Sequence, residues 1–233
     1  MLRRPRISRF QLGVALIASA TAQALAQIPP TDPEVRAYTG LHAAAAAGNV
    51  AEIERLVAAG ANRELRDGNG RTPLHVAAYR KQYEAARVLM KRGANPNALD
   101  AQRYDIVTIA AVADDVPMLK VALEGGASAK NVTSPYDGTA LIAAAHLGHD
   151  EVVKVLIAAG APLDHVNNLR WTAVIEAIVL GNGGKRHTET LRALIAAGAN
   201  PSLADGRGTT PLALARGRGY AEMVAILEKA GAK

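Results

Sequence analysis

The stretch Gly181-Asn182-Gly183-Gly184-Lys185-Arg186-His187 is where residue types and spacing first suggest chemistry. A glycine loop beside a lysine can cradle phosphate with its backbone N–H groups. Here Lys185 is followed by Arg186 rather than Ser or Thr, the glycine spacing is wrong, and the preceding segment reads as a helix rather than a strand. These departures argue for an extended loop between two helices. Just upstream, Glu176 stands among apolar residues; with His187 and residues 181–188 it defines the alternative reading, an enzyme or small-ligand binder. His146, His165 and His187 do not cluster at ligand spacing with carboxylates, so no metal site is expected. There is no cysteine, which excludes disulfides, thiolate metal sites, a Cys nucleophile and a lipidated Cys. No triad, paired-carboxylate or nucleophile-elbow pattern appears. The chain is read as a non-enzyme without cofactors.

Charge points the same way once it is located. The formal net charge is +6, but Arg3, Arg4, Arg6 and Arg9 crowd the first ten residues and no acidic residue precedes Asp32. An apolar stretch, LGVALIASATA, follows, and Ala24-Leu25-Ala26 supplies the small-x-small pattern that signal peptidase accepts. Residues 1–26 are therefore expected to be a signal peptide cleaved after Ala26, with the product periplasmic or secreted. An Arg-rich transit peptide would spread its arginines along one helical face, whereas these stop at Arg9. Arg3-Arg4 leaves Sec and twin-arginine export both open. Without the four leader arginines the 27 basic side chains fall to 23 against 21 acidic ones, which removes the argument for nucleic acid. After cleavage nothing in the sequence calls for a membrane.

The elements that must position any site come from a repeat. Gly-Ala recurs at Gly60, Gly93, Gly126, Gly160, Gly198 and Gly231, with spacings of 33, 33, 34, 38 and 33. Apolar residues make up 49% of the chain, yet aromatic ones only 3%, with one Phe and one Trp. That suits thin helical layers better than one large core. In the second copy Thr72 can cap a helix opening at Pro73, Leu74, Ala77 and Ala78 follow at helical spacing, and Gly93 ends the next helix in the left-handed region. The segment GRTPLHVAAYRKQYEAARVLMKRGANPN, with DGTALIAAAHLGHDEVVKVLIAAGAPLD as a second strong copy, resembles the ankyrin consensus from about Thr39 to Lys233.

The resemblance implies an all-α solenoid of about six helix-turn-helix repeats with short β-hairpin fingers. The approximate repeats are 39–69, 70–103, 104–136, 137–168, 169–207 and 208–233, after a short linker at 27–38. His42 and His75 take the fourth position of the TPLH motif, where the family's His bridges adjacent fingers, and His149 matches the consensus Gly-His. The third repeat is degenerate, with Asp105-Ile106-Val107-Thr108 for TPLH and Pro117 expected in the first turn of its outer helix. The fifth is longer, and the finger at residues 131–137 is enlarged and carries the formal sequon Asn131-Val132-Thr133. Ankyrin repeats imply recognition of another protein by fingers and inner helices, and exported members imply adaptor, protective or immunity-like roles. The non-consensus candidates on that face are Arg71, Tyr79, Arg80, Arg103, Tyr104, Tyr136, His146, Arg170 and Trp171, types that dominate interface energetics. A monomer is expected.

Overall fold

The computed structural model describes residues 27–233, so the leader and its cleavage after Ala26 lie outside the described residues. Six helix pairs follow one another: α2 (Gly40–Ala47) with α3 (Val50–Ala58), α4 (Pro73–Tyr79) with α5 (Tyr83–Lys91), α6 (Ile106–Val112) with α7 (Val116–Glu124), α8 (Ala140–Leu147) with α9 (Asp150–Ala158), α10 (Ala173–Val179) with α11 (Lys185–Ala196), and α12 (Pro211–Arg218) with α13 (Ala221–Lys229). The first helix of each pair packs on the first helices of its neighbours, and the second on the second, giving an inner and an outer layer.

Local chemistry sets each start and stop. Thr72, Asp105, Thr139, Thr172 and Thr210 accept the backbone N–H three residues on and so cap the inner helices α4 to α12. Each such cap contributes about 1 kcal/mol. Asp105 therefore does in the degenerate third repeat what Thr does in the second, fourth, fifth and sixth, and Pro117 sits in the first turn of α7, as expected. Beyond the outer helices the six Gly-Ala glycines have φ between 77° and 96°, a region costly to residues with a Cβ.

The interior is built by register. Leu41, Leu74, Val107, Leu141, Val174 and Leu212 hold equivalent buried positions, and three residues further on Ala44, Ala77, Ala110, Ala144, Ala177 and Ala215 hold another. The alanines let successive inner helices approach closely, which is why so few aromatic residues are needed.

Two stretches differ from the sequence expectation. Residues 27–38 are not a plain linker, because they contain helix α1 (Asp32–Ala37). The cause is a capping box in which Thr31 and Glu34 satisfy each other's backbone N–H, with Pro33 in the first turn. The insertion of the fifth repeat is likewise not a long loop. Only residues 181–184 are non-helical, and Lys185, Arg186 and His187 form the first turn of a twelve-residue α11. His187 Nε2 donates to the His146 carbonyl at 3.0 Å, and its ring lies against Gly148 and Gly181, where an added Cβ would come within 2.8 Å of it. Of the fingers, the enlarged one alone among the described residues forms a ladder, with β1 (Val132–Thr133) antiparallel to β2 (Gly138–Thr139). The other fingers are tight turns without strands.

A Cβ at Gly181 would also run into the Ala177 carbonyl oxygen, which is backbone and cannot swing away. Gly181→Ala is expected to cost about 1–3 kcal/mol, as overpacking does. Urea denaturation checks this, and an unchanged midpoint would show that the turn relaxes freely.

Candidate partner-binding surface

Each finger is closed by one side-chain oxygen. Asp67 Oδ1 accepts the N–H groups of Asn69 and Arg71, Asp100 Oδ1 those of Gln102 and Tyr104, Asn167 Oδ1 those of Leu169 and Trp171, and Asp205 Oδ1 those of Arg207 and Thr209. In the enlarged finger Ser134 Oγ takes the role towards Tyr136 and Gly138. The residue just before the last of these N–H groups has positive φ: Gly70, Arg103, Asp137, Arg170 and Gly208, at 72°, 64°, 52°, 62° and 78°. Neighbouring fingers are then sewn together through Ala101 N–H to the Asn69 carbonyl, Ser134 N–H to Arg103 and Asn168 N–H to Tyr136, at 3.0, 3.0 and 2.9 Å.

Histidines tie fingers to inner helices. His42 Nε2 donates to the Arg71 carbonyl at 2.9 Å, and His75 Nε2 donates to the Tyr104 carbonyl at 3.1 Å. The Thr72 N–H donates to His75 Nδ1, which must therefore be unprotonated, and the ring is neutral. Burial lowers the His75 pKa, and burial likewise lowers that of His187. In the third repeat Thr108 replaces the histidine, and its hydroxyl bonds Asp105 and Thr133.

Two of the expected contact residues have no surface to offer. Arg71 is 1% exposed, with its guanidinium against Asp67 at 2.7 Å, Glu34 at 2.6 Å and the Ile28 carbonyl at 3.0 Å. Burial disfavours the Asp67 charge, but the Tyr38 hydroxyl, the Arg71 and Asn69 backbone N–H groups and the Arg71 guanidinium outweigh it and hold its pKa below the usual value. Tyr104 is fully buried, and burial pushes its hydroxyl pKa up to about 12. Both residues look outward in the sequence because they follow a turn, yet the finger folds them under itself.

Tyr79 is half-buried on α4, its hydroxyl 3.4 Å from Asp100. Arg80 is exposed at the end of that helix, 3.9 Å from Asp32 of α1. His146 does have a carboxylate, contrary to expectation: its Nδ1 lies 3.2 Å from Glu176 Oε2, while Asn167 Nδ2 donates to Oε1 at 3.0 Å. Glu176 thus joins an inner helix to the finger before it and to the neighbouring inner helix. Thr108, Ser134, Tyr136, His146, Asn167 and Glu176 line a dimple on this concave side, roomy for about one water. Arg103, Tyr136, Arg170 and Trp171 remain on the fingers, the two arginines exposed and the two aromatics half-buried. Arg103 pairs with Asp137 at 2.9 Å, whereas among the described residues the Arg170 guanidinium has no ion pair or hydrogen bond. Asn131 of the sequon is engaged by Asn97 and Asp105. Among the described residues no three His, Asp or Glu side chains converge as metal ligands, and no helix is long and apolar enough to cross a membrane.

The stacked helix pairs and the sewn fingers define an α-solenoid of the ankyrin type. The ankyrin-repeat profile, in three copies, matches residues 15–100 and 107–205, and the chain belongs to this family. It is similar to YahD, an ankyrin-repeat protein of Escherichia coli, at 33% identity over 81% of this chain and 94% of YahD. An ankyrin-repeat domain from Acinetobacter baumannii superposes with a TM-score of 0.79 and 44% identity, covering 83% of this chain and 98% of the other. The ankyrin-repeat domain of Bcl-3, of the IkappaB family, superposes with a TM-score of 0.76 and 27% identity over 84% and 87% of the two chains. Ankyrin repeats generally mediate protein–protein interaction, and a non-catalytic scaffold fits this chain.

The buried His75 ring and the half-buried His187 ring give a pH signature. An unfolded chain binds their protons near pH ~6.5, above the folded pKa values, so stability is complete above that pH and falls as the solution is acidified through it. Chemical denaturation at about pH 7.5 and pH 5 reads this, with the lower midpoint expected at pH 5. A flat profile across that interval would mean that neither ring is held neutral.

Proposed function

We propose that this protein is an exported, non-catalytic scaffold whose partner protein docks on the fingers and inner helices of the third to fifth repeats. The observation that carries the reading is the backbone at Arg103 and Arg170. Both occupy a left-handed position where the second and sixth repeats use Gly70 and Gly208, and non-glycine residues held there at a cost in stability cluster at functional sites. The Arg103 pair with Asp137 is exposed and contributes little, and Arg170 has no partner among the described residues. Beside them stand Tyr136 and Trp171, and Arg, Tyr and Trp supply most of the energy in protein interfaces. The Glu176 carboxylate is spent on His146 and Asn167 and the insertion on seating His187, so neither favours catalysis.

The basic leader and the Ala24-Leu25-Ala26 site support export, which makes an envelope or secreted protein the partner and a protective or immunity-like role the working case. Mass spectrometry of the native protein is expected to find Gln27 as the first residue. A pool that keeps Met1 would refute cleavage.

Arg170→Gly separates structure from recognition. It relieves the strained position and is expected to raise stability by about 0.5–1 kcal/mol, while weakening partner recovery at least tenfold. Trp171→Ala and Tyr136→Ala should weaken recovery with the fold intact. Pull-down from an envelope extract alongside thermal denaturation gives both readouts, and full recovery by all three variants would sink the proposed face.

A further inference from the structure

The concave face of the first three repeats already has an occupant, the chain's own N-terminal segment. Gln27 Nε2 donates to the Thr108 carbonyl at 3.0 Å, and Arg71 Nη1 donates to the Ile28 carbonyl at 3.0 Å. Further along, Glu34 meets Arg71 and Asn69 at 2.6 and 2.8 Å, and Asp32 approaches Arg80. Thr108 lines the concave dimple together with Tyr136 and His146, so a segment that begins beside the first repeat crosses the second and reaches the third. Arg71 and Arg80, which in sequence look available to a partner, are engaged in cis.

The two halves of this segment are held differently. From Thr31 onward it is locked, by the capping box of α1 and by Glu34, which neutralises the buried Arg71. Ahead of Thr31 the grip is on a main-chain carbonyl and one carboxamide, while Pro29 is exposed and Ile28 is 43% exposed. Single hydrogen bonds of that kind exchange readily, because water or another chain replaces them at little net cost. Their chemistry is that of a surface reading one main-chain carbonyl and one side-chain carboxamide.

We propose that the concave surface at Arg71 and Thr108 is a docking site for an extended peptide segment, and that residues 27–29 lie on it as a tethered stand-in. A partner segment presenting a carbonyl to Arg71 and a carboxamide N–H to the Thr108 carbonyl takes their place, with α1 left docked and the chain turning at Pro29 and Pro30. This deepens the protein-binding reading and rests on it for its biological use.

The test needs no identified partner. The full chain and its Gln27→Glu variant, which loses the donor and sets a carboxylate against the Thr108 carbonyl, are titrated with an acetylated and amidated synthetic peptide of residues 26–30. Backbone amide shifts are followed by NMR. A tether supplies millimolar effective concentration, so the free peptide is expected to bind wild type at least tenfold more weakly than Gln27→Glu. The shifts should centre on Arg71 and Thr108. Ile28→Glu changes an exposed side chain and should behave as wild type. Equal affinity in wild type and Gln27→Glu, no shifts at Arg71 and Thr108 in Gln27→Glu at saturating peptide, or equal release by Ile28→Glu would each overturn the proposal. Melting curves of the variants confirm the fold. The result is independent of the Arg170 and Trp171 pull-down, so either reading can fail without the other.

Discussion

The structure depends on a side-chain oxygen that accepts two backbone N–H groups inside a finger turn. Asp67, Asp100, Ser134, Asn167 and Asp205 all do this. Backbone donors in a turn this tight have no helical or strand partner, and leaving them buried and unpaired costs about 1–3 kcal/mol each. Closing the turn also forces one residue into the left-handed region and aims the next chain direction at the capped inner helix. The spacing between layers follows, since neighbouring fingers can then exchange main-chain hydrogen bonds. Where the enlarged finger uses a hydroxyl, the ladder of β1 and β2 supplies further order.

Given that frame, the helices need little individuality. Alanine and a few aliphatic residues per layer close the interior, and polar cross-links do the matching. The histidine of the first two repeats, Thr108 in the third and the Glu176 group between the fourth and fifth join finger to helix with different chemistry. A repeat can therefore lose its consensus tetrapeptide and keep its place in the stack.

The helix pairs, the Thr caps and the left-handed glycines were legible because they are set within a few residues of one another. The finger oxygens share a register that becomes visible once the turns are known, Asp, Asp, Asn and Asp standing seven residues after Gly60, Gly93, Gly160 and Gly198, with Ser134 one place later in its finger. What escaped is what depends on distant partners. Arg71 and Tyr104 read as outward-facing because nothing local says that Glu34 and Ile28 will cover the one or that the finger will enclose the other. The 181–187 stretch read as a loop because glycines precede it, whereas His187 finds a seat made by Gly148 and Gly181 and continues α11 to its right. The pairing of His146 with Glu176, thirty residues apart, carries no local mark either.

Arg186 lies in that same added turn and touches Asp150 of the fourth repeat at 3.4 Å and Asp114 of the third at 2.6 Å. A stack in which each layer meets only its neighbours unfolds like a linear chain of switches, each flipping with help from the two beside it. A bridge from the fifth layer to the third breaks that simplicity. It couples switches that are not adjacent, so the third, fourth and fifth layers gain a reason to open and close together. The pair is partly exposed, so the coupling it adds is about 0–1 kcal/mol, but it acts between layers that otherwise do not meet.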